Sequence, residues 1–164
     1  MLPDDLGLHL REAEPGDCHR LWTLANDPVV RSVSFSEERI EWATHVEWFN
    51  RAVESPNRRI FVAENAEGEF VGQIRFDLER GKAGISIEIV PSRRGHGLGA
   101  ALIRAGTQRY LDETPTVNVV HAFIKTTNEV SVAVFSKAGY RHSHHTRIAG
   151  HKAYDMVFQR VSEE

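Results

Sequence analysis

A glycine-spaced segment between a predicted strand and a predicted helix constrains this chain more than any other feature. Residues 91–100 read Pro-Ser-Arg-Arg-Gly-His-Gly-Leu-Gly-Ala, with three glycines at alternate positions. Glycine allows tight turns and a close approach of the backbone to a ligand. The helix that follows offers unpaired amides and the positive end of its dipole. The segment therefore predicts a site for a phosphorylated ligand.

Two nucleotide-binding motifs do not fit this segment. A P-loop requires Gly-Lys-Ser or Gly-Lys-Thr, and no lysine follows these glycines. A dinucleotide fingerprint requires Gly-x-Gly-x-x-Gly, whereas the segment has Gly-x-Gly-x-Gly. The chain also has 20 basic and 23 acidic residues and a net charge of −3, which disfavours a broad basic face. We therefore expect no nucleic-acid partner.

Composition predicts one globular domain over residues 1–164. The chain is 41% hydrophobic and 26% charged, which disfavours disorder. It has no run of 18 apolar residues, and its first ten residues carry two acids where a secretory signal carries bases. We therefore expect a cytoplasmic protein without a membrane partner. Its one cysteine, Cys18, cannot form an intrachain disulfide or a cysteine-based zinc site.

Hydrophobic periodicity predicts alternating strands and helices. Leu6, Leu8 and Leu10 indicate an opening strand. A first helix is expected to be capped by Asp17 and to end near Pro28, and a second, aromatic helix is expected to open at Ser36. The remaining predicted elements are strands at residues 60–64, 70–78, 83–90, 117–125, 140–146 and 153–159, a helix at 97–111, and a helix capped by Asn128 and ended by Gly139. This order predicts a mixed sheet covered by helices, with parallel pairing between the strands that end at Val90 and Lys125.

The glycine segment resembles a motif of the GNAT superfamily of acyl-CoA-dependent N-acetyltransferases. Arg94, Gly97 and Gly99 occupy the positions of Arg/Gln-x-x-Gly-x-Gly/Ala. A second segment is similar to the family's Asn-x-x-Ser/Ala-x-x-x-Tyr/Phe-x-Lys-x-Gly-Phe/Tyr. Its matching residues are Asn128, Ser131, Phe135, Lys137, Gly139 and Tyr140. The resemblance covers most of the chain.

The resemblance implies an α+β fold with a mixed, mainly antiparallel sheet of about seven strands and about four flanking helices. Two central strands would be parallel and splayed. It also implies acetyl-CoA as the acetyl donor and no metal. The expected donor-binding residues are Ile89 and Val90 along the pantetheine, Arg94, Gly95, His96, Gly97, Leu98, Gly99 and Ala100 around the pyrophosphate, Asn128 and Ser131 beside the pantetheine, and Phe135 at the thiol end.

The implied reaction is direct attack of an amine on the thioester in a ternary complex, which needs a neutral amine and an acid for the leaving thiolate. Glu88 is the candidate base, with a solvent-facing edge carboxylate as the alternative. Phe135 stands where many members carry a tyrosine acid, and Tyr140 is the nearest alternative hydroxyl, with a packing role as its alternative. As a further alternative, positioning of the amine against the thioester accounts for much of the acetyl-transfer rate without an acid or a base.

The acceptor pocket in the family is built from the first two helices. The expected acceptor-binding residues are Asn26, Arg31, Phe35, His45 and Arg75. Residues 22–35, 42–49 and 71–77 look like those of the branch that acetylates the 4-amine of UDP-linked dideoxy sugars in pseudaminic acid synthesis. In that branch Arg31 and Arg75 would contact the diphosphate of the sugar nucleotide. The alternatives are a protein N-terminus, a small amine or antibiotic, and an acyl-CoA-binding module without catalysis.

Two surface features accompany this interpretation. Strand alternation places His142 and His144 on one face and His145 on the other, so we expect no metal site there. The aromatic second helix and the closing strands offer a surface for a homodimer.

Overall fold

A mixed sheet organises the molecule. The structure, a computed structural model, describes residues 7–162. In that range seven strands form one sheet in the order β1-β2-β3-β4-β5-β7-β6. The strands are β1 (His9–Glu12), β2 (Arg58–Glu64), β3 (Phe70–Glu79), β4 (Lys82–Ile89), β5 (Val119–Lys125), β6 (Arg141–Ile148) and β7 (His151–Gln159). Only β4 and β5 pair in parallel in this described sheet. The predicted mixed, mainly antiparallel architecture is confirmed.

Five helices in the described range flank this sheet. They are α1 (Cys18–Ala25), α2 (Pro28–Val33), α3 (Trp42–Glu54), α4 (Leu98–Glu113) and α5 (Glu129–Lys137). The predicted cap of α5 is present, because the Asn128 side chain accepts a hydrogen bond from the Ser131 amide. Across residues 7–162, every helix is too short or too polar to span a bilayer.

The helices cover both faces of the sheet and bury two apolar clusters. On one face, α4 packs its Tyr110 ring flat against Phe76 of β3, with 4.3 Å between the ring centroids. On the other face, Leu21 of α1 and Phe49 of α3 pack against Ile60 and Val62 of β2. Because α1, α2 and α3 lie on the face opposite α4, polar side chains of β3 and β4 that point toward them are enclosed.

The helix α2 is an element that the sequence interpretation missed. Pro28 was expected to end helical structure, and α1 does end at Ala25. Proline also suits the first turn of a helix, where its missing N–H costs nothing. Asp27 caps this new helix, since its carboxylate accepts hydrogen bonds from the amides of Val29 and Val30. Asp17 occupies the N-cap position of α1 as predicted, but its side chain makes no capping hydrogen bond, because its carboxylate pairs with Arg11 and accepts from the Glu14 amide.

The aromatic helix begins at Trp42, six residues after the predicted start at Ser36. Residues 34–41 form a loop that is held by the side chains of Trp22, in α1, and Asn26, which directly follows α1. The Asn26 side chain both donates to the Ile40 carbonyl and accepts from the Ile40 amide, and the Trp22 indole N–H donates to the same carbonyl. These bonds satisfy the backbone N–H and C=O groups of Ile40, which therefore need no helical partner.

A β-bulge changes the predicted faces of the histidines. The register of β6 against β7 shifts between His142 and His144. His142 and His145 therefore lie on the same face, with ring centroids 5.0 Å apart, whereas His144 lies near Asp155. The predicted face assignment is wrong because a bulge adds one residue to the two-residue period. In the opening strand, Leu6 lies outside the described residues.

A glycine on β3 sets the spacing of β3 and β4. A Cβ at Gly72 would lie 2.4 Å from the Glu88 carbonyl oxygen, whereas a Cβ at Gly84 would meet nothing closer than 3.8 Å. We expect Gly72→Ala to lower the free energy of unfolding by about 2 kcal/mol through overpacking. Gly84→Ala is the matched control and should change it much less in urea denaturation. Equal stabilities of the two variants would contradict the close approach.

Candidate functional site

A cleft opens where β4 and β5 separate. Their parallel pairing includes only Ala83 with Val120 and Gly84 with His121. Beyond these pairs the strands diverge, as the predicted splay requires, and a cleft of about 580 Å³ lies between them and the helices α1, α2, α3 and α5. Its lining residues include Ile85, Ile87, Ala122, Ile124, Phe123, Trp48, Phe35 and Phe135. The cleft is therefore mainly apolar.

The glycine segment lies at the end of β4 and leads into α4. Gly95 and Gly97 adopt left-handed backbone conformations, with φ of 79° and 76°, and Gly97 is the N-cap of α4. A Cβ at either glycine would meet no atom within 4 Å, so the loop surface is open. The first amides of α4, from Leu98 to Ala100, have no partner within the helix. This arrangement suits a pyrophosphate, as the sequence predicted.

The third glycine of the segment has a packing role. A Cβ at Gly99 would lie 3.0 Å from Cγ1 of Val134 on α5. Gly99 therefore lets α4 approach α5, and Ala100 beside it is buried. His96 is exposed on the loop.

The backbone of β4 distinguishes the two predicted pantetheine contacts. The Val90 amide donates to the Val71 carbonyl of β3, with 2.9 Å between nitrogen and oxygen. Because hydrogen-bonding direction alternates along an antiparallel strand, the Ile89 amide points the other way, toward the gap beside β5. Ile89 thus offers a free backbone donor at the gap, whereas the Val90 donor is already used.

Arg94 has partners that the sequence did not reveal. Its Nε donates to the Ile89 carbonyl at 2.9 Å, and its Nη2 donates to Asp27 Oδ2 at 3.0 Å. Burial alone would raise the pKa of Asp27, but the bonds from Arg94 and from the α2 amides lower it below its ordinary value. One guanidinium therefore joins the strand end, the glycine loop and the cap of α2.

The predicted residues of α5 are brought together beside the gap. Asn128 Nδ2 donates to Ser131 Oγ at 2.9 Å, and both residues line the cleft with Phe135. The Phe135 ring contacts Tyr140 edge to face, at 5.1 Å between centroids. A phenyl ring without a proton to donate thus closes this end of the cleft.

Glu88 and Tyr140 occupy different environments. Glu88 lines the cleft, where burial raises its pKa above the ordinary value despite the nearby charges of Arg75, Arg31 and Arg94. Tyr140 is 2% exposed, and its hydroxyl is hydrogen-bonded to Thr107 in the core. Burial raises the pKa of Tyr140 far above its ordinary value. Tyr140 is absent from the described residues that line the cleft, so this geometry supports the packing alternative.

Sequence reasoning missed Gln73, which contacts Glu88. Gln73 is 4% exposed, lines the cleft, and donates from Nε2 to Glu88 Oε1 at 3.0 Å. A lone glutamine in a strand has no motif. The signal that could have found it is the register, since Gln73 lies directly opposite Glu88 across β3 and β4.

Four of the five predicted acceptor residues line the cleft, namely Arg31, Phe35, His45 and Arg75. Asn26 is the exception, because its amide is used to hold Ile40. His45 Nε2 donates to the Cys18 carbonyl at 2.8 Å, and burial lowers the pKa of His45 although this bond opposes the effect.

The two predicted arginines are already engaged by protein groups. Arg31 donates to the carbonyls of Ala25, Ser36 and Glu38. Arg75 Nε donates to Asp77 Oδ2 at 2.8 Å, and its guanidinium lies over the Trp48 ring. Both arginines stabilise the wall of the cleft. Among residues 7–162, no three histidine, cysteine or carboxylate side chains are grouped to hold a metal ion.

The fold and cleft are those of an acyl-CoA-dependent transferase domain. Residues 7–141 match the acetyltransferase (GNAT) domain family, and the chain belongs to that family. At the level of the family, the predictions of an acetyltransferase domain and of a coenzyme A thioester as donor are confirmed.

The relatives differ in the acceptor that their names give. A mycothiol acetyltransferase of Paenarthrobacter aurescens (strain TC1) is 26% identical, and the match covers 85% of this chain and 43% of that protein. The chain thus spans less than half the length of this relative. The predicted sugar-nucleotide branch is not supported by these relatives.

Two solved structures share the fold. Spermidine N-acetyltransferase from Vibrio cholerae, solved with CoA and spermine, is 20% identical with a TM-score of 0.82, and the match covers 94% of this chain and 96% of that one. The aminoglycoside acetyltransferase AAC(6')-Ib, solved with ribostamycin and coenzyme A, is 22% identical with a TM-score of 0.82 and 94% of both chains covered.

The left-handed glycine at the start of α4 yields a binding prediction. A β-branched residue is strained by about 1–2 kcal/mol at such a φ. We expect Gly97→Val to weaken coenzyme A binding roughly tenfold in calorimetry, because relief of that strain moves the loop amides. Gly68→Val is the matched control, since Gly68 has φ of 77°, open space and a position in the β2–β3 turn. Equal affinities of the two variants would show that the donor lies elsewhere.

Proposed function

We propose that the chain is an N-acetyltransferase that transfers the acetyl group of acetyl-CoA to the primary amine of a small molecule. The observation that supports this most is the carboxylate of Glu88, which has one oxygen without a hydrogen-bond partner in the described residues and faces the apolar cleft beside the splayed strands. A buried carboxylate next to a donor gap is suited to take a proton from an ammonium group.

The donor would be held by groups that lie beside the gap and at the start of α4. These are the gap-facing amide of Ile89, the first amides of α4, and the side chains of Asn128, Ser131 and Phe135. When bound there, acetyl-CoA supplies an acyl carbon to which a neutral amine adds, forming the amide bond as the C–S bond breaks with its electron pair on sulfur. The proton that the nitrogen loses in this step protonates the thiolate, so that coenzyme A leaves as the thiol. The open loop at Gly95 and Gly97 supports this placement, because it lets the pyrophosphate reach the backbone.

Glu88 is the side chain that we propose for proton transfer. A raised pKa makes its carboxylate a stronger base, so it takes a proton from the acceptor's ammonium group more readily than an exposed glutamate does. Phe135 has no proton to give, and the Tyr140 hydroxyl is bonded to Thr107 in the core. We therefore propose neither as an acid.

The charges along the cleft favour a monoamine with an apolar body. Its lining includes three arginines, Arg31, Arg51 and Arg75, and two acids, Glu47 and Glu88. Arg51 pairs with Glu47 at 3.1 Å, which leaves Glu88 as the carboxylate available to one ammonium group. The spermidine and aminoglycoside enzymes that share the fold act on polycations, which call for several acids. This cleft is better suited to a single charge.

An amino-sugar nucleotide is a weaker candidate. Its diphosphate was expected to meet Arg31 and Arg75. Arg31 would have to break three hydrogen bonds to carbonyl oxygens to reach it, and Arg75 is paired with Asp77. The engagement of these side chains argues against the diphosphate and therefore against this acceptor.

The acceptor class is tested by thiol release from acetyl-CoA with five amines. They are phenethylamine, spermidine, kanamycin, a peptide with a free N-terminus and a UDP-linked 4-amino sugar. We expect the highest kcat/KM with phenethylamine. A higher value with any other amine would overturn the monoamine assignment. Binding of coenzyme A without thiol release from any of the five would favour the binding module over the enzyme.

Substitution of the base gives a second test. Glu88→Gln keeps the shape and the contact with Gln73 but removes proton uptake, so we expect kcat to fall on the order of 100-fold. Because the wild-type carboxylate must be ionised and its pKa is raised, activity should rise with pH through a value above the ordinary range for glutamate. This rise should vanish in the variant. The exposed Glu67→Gln is the control, and wild-type rates for Glu88→Gln across pH would remove Glu88 from the mechanism.

A further inference from the structure

Gln73 and Glu88 form a polar pair in the wall of an otherwise mainly apolar cleft. The two residues are opposite each other in the β3–β4 register and are linked by the bond from Gln73 Nε2 to Glu88 Oε1. An ionised carboxylate can only accept hydrogen bonds, so the NH₂ end of the Gln73 amide must face it. The Gln73 carbonyl oxygen is then free to meet another group.

Each member of the pair has one buried oxygen that lacks a partner. These atoms are Gln73 Oε1 and Glu88 Oε2, and neither has a hydrogen-bond donor among the described residues. Leaving two buried acceptors unpaired is unfavourable. Both belong to residues that line the cleft. A ligand nitrogen that carries two donors would satisfy both atoms, which a primary ammonium group can do and a hydroxyl cannot.

Other charged groups near Glu88 do not replace this pairing. Arg75 on β3, Arg31 on α2 and Arg94 in the glycine loop all attract the carboxylate, and His45 of α3 lines the same cleft. Gln73 is nevertheless the one side chain in the described residues that donates a hydrogen bond to Glu88. The orientation of the carboxylate thus depends on Gln73.

We propose that Gln73 is a positioning residue for Glu88 and that the pair is the subsite for the acceptor's amino group. Gln73 Oε1 and Glu88 Oε2 each accept one N–H of the ammonium ion. The subsite rests on the proposed function, and it adds a requirement for at least two N–H donors on the nitrogen.

The positioning role is tested without turnover by ¹³C NMR of the glutamate side-chain carboxyl carbons, with the Glu88 signal assigned from Glu88→Gln. Gln73→Met fills a similar volume but removes the donor that stabilises the carboxylate. We expect the titration midpoint of Glu88 to rise in this variant and to stay unchanged in the exposed control Gln108→Met. An unchanged midpoint in Gln73→Met, with coenzyme A binding intact, would overturn the positioning role.

The subsite is tested on the wild-type protein, so its outcome does not depend on whether a variant folds. The probes are methylammonium, dimethylammonium, trimethylammonium and tetramethylammonium, which carry one charge and three, two, one and no N–H groups. We expect the half-saturation concentration for the Glu88 signal to rise roughly tenfold between dimethylammonium and trimethylammonium, where the second donor is lost. A smooth trend with size would overturn the two-acceptor subsite.

Kinetics separate this inference from the proposed function. With the amine that the wild type acetylates best, Gln73→Met should lower kcat/KM on the order of 10- to 100-fold and move the acidic limb of the pH profile to higher pH. A wild type that turns over no amine overturns the proposed function, and the two NMR experiments still decide on the pair. A wild-type rate and pH profile in Gln73→Met would overturn the inference alone.

Discussion

The brevity of the parallel ladder between β4 and β5 determines the rest of the site. Each strand is bonded along its length to an antiparallel neighbour, β4 to β3 and β5 to β7, but the two halves of the sheet share only two residue pairs. Sheet twist turns the halves apart beyond Gly84. The backbone groups of β4 that face the gap are left for a ligand, and Ile87 and Glu88 are among the residues that line the opening. The cleft thus arises from the pattern of strand pairing, and the side chains determine only what lines it.

The sequence predicted this architecture well where local signals agree with the long-range fold. Strand periodicity, the Asn128 cap and the glycine turn before α4 are local features, and each is present as expected. The predictions failed where one signal permits two structures. Pro28 ends one helix and begins another, and a one-residue bulge in β6 reverses the faces of the histidines that follow it.

Side-chain partners were much harder to predict than elements, because they join residues that are distant in sequence. Arg94 and Asp27 are separated by 67 residues, and their ion pair takes up much of an arginine that the motif assigns to a phosphate. Asn26 holds a loop instead of a ligand. Gln73 shows the converse case, since nothing in its sequence surroundings marks it and only the strand register brings it to Glu88.

These partners also explain how the two sides of the cleft keep a fixed geometry. Arg94 joins the Ile89 carbonyl to the Asp27 carboxylate, and Asp27 caps α2, which carries Arg31 into the wall of the cleft. The strand that carries Glu88 is therefore linked through the guanidinium of Arg94 to both the glycine segment and the helix α2. A rigid link of this kind limits the displacement of groups on one side of the cleft relative to the other, which is the condition for fixed positioning of bound molecules. The same geometry accounts for Arg31 and Arg75, whose hydrogen bonds to protein groups hold the wall of the cleft in place.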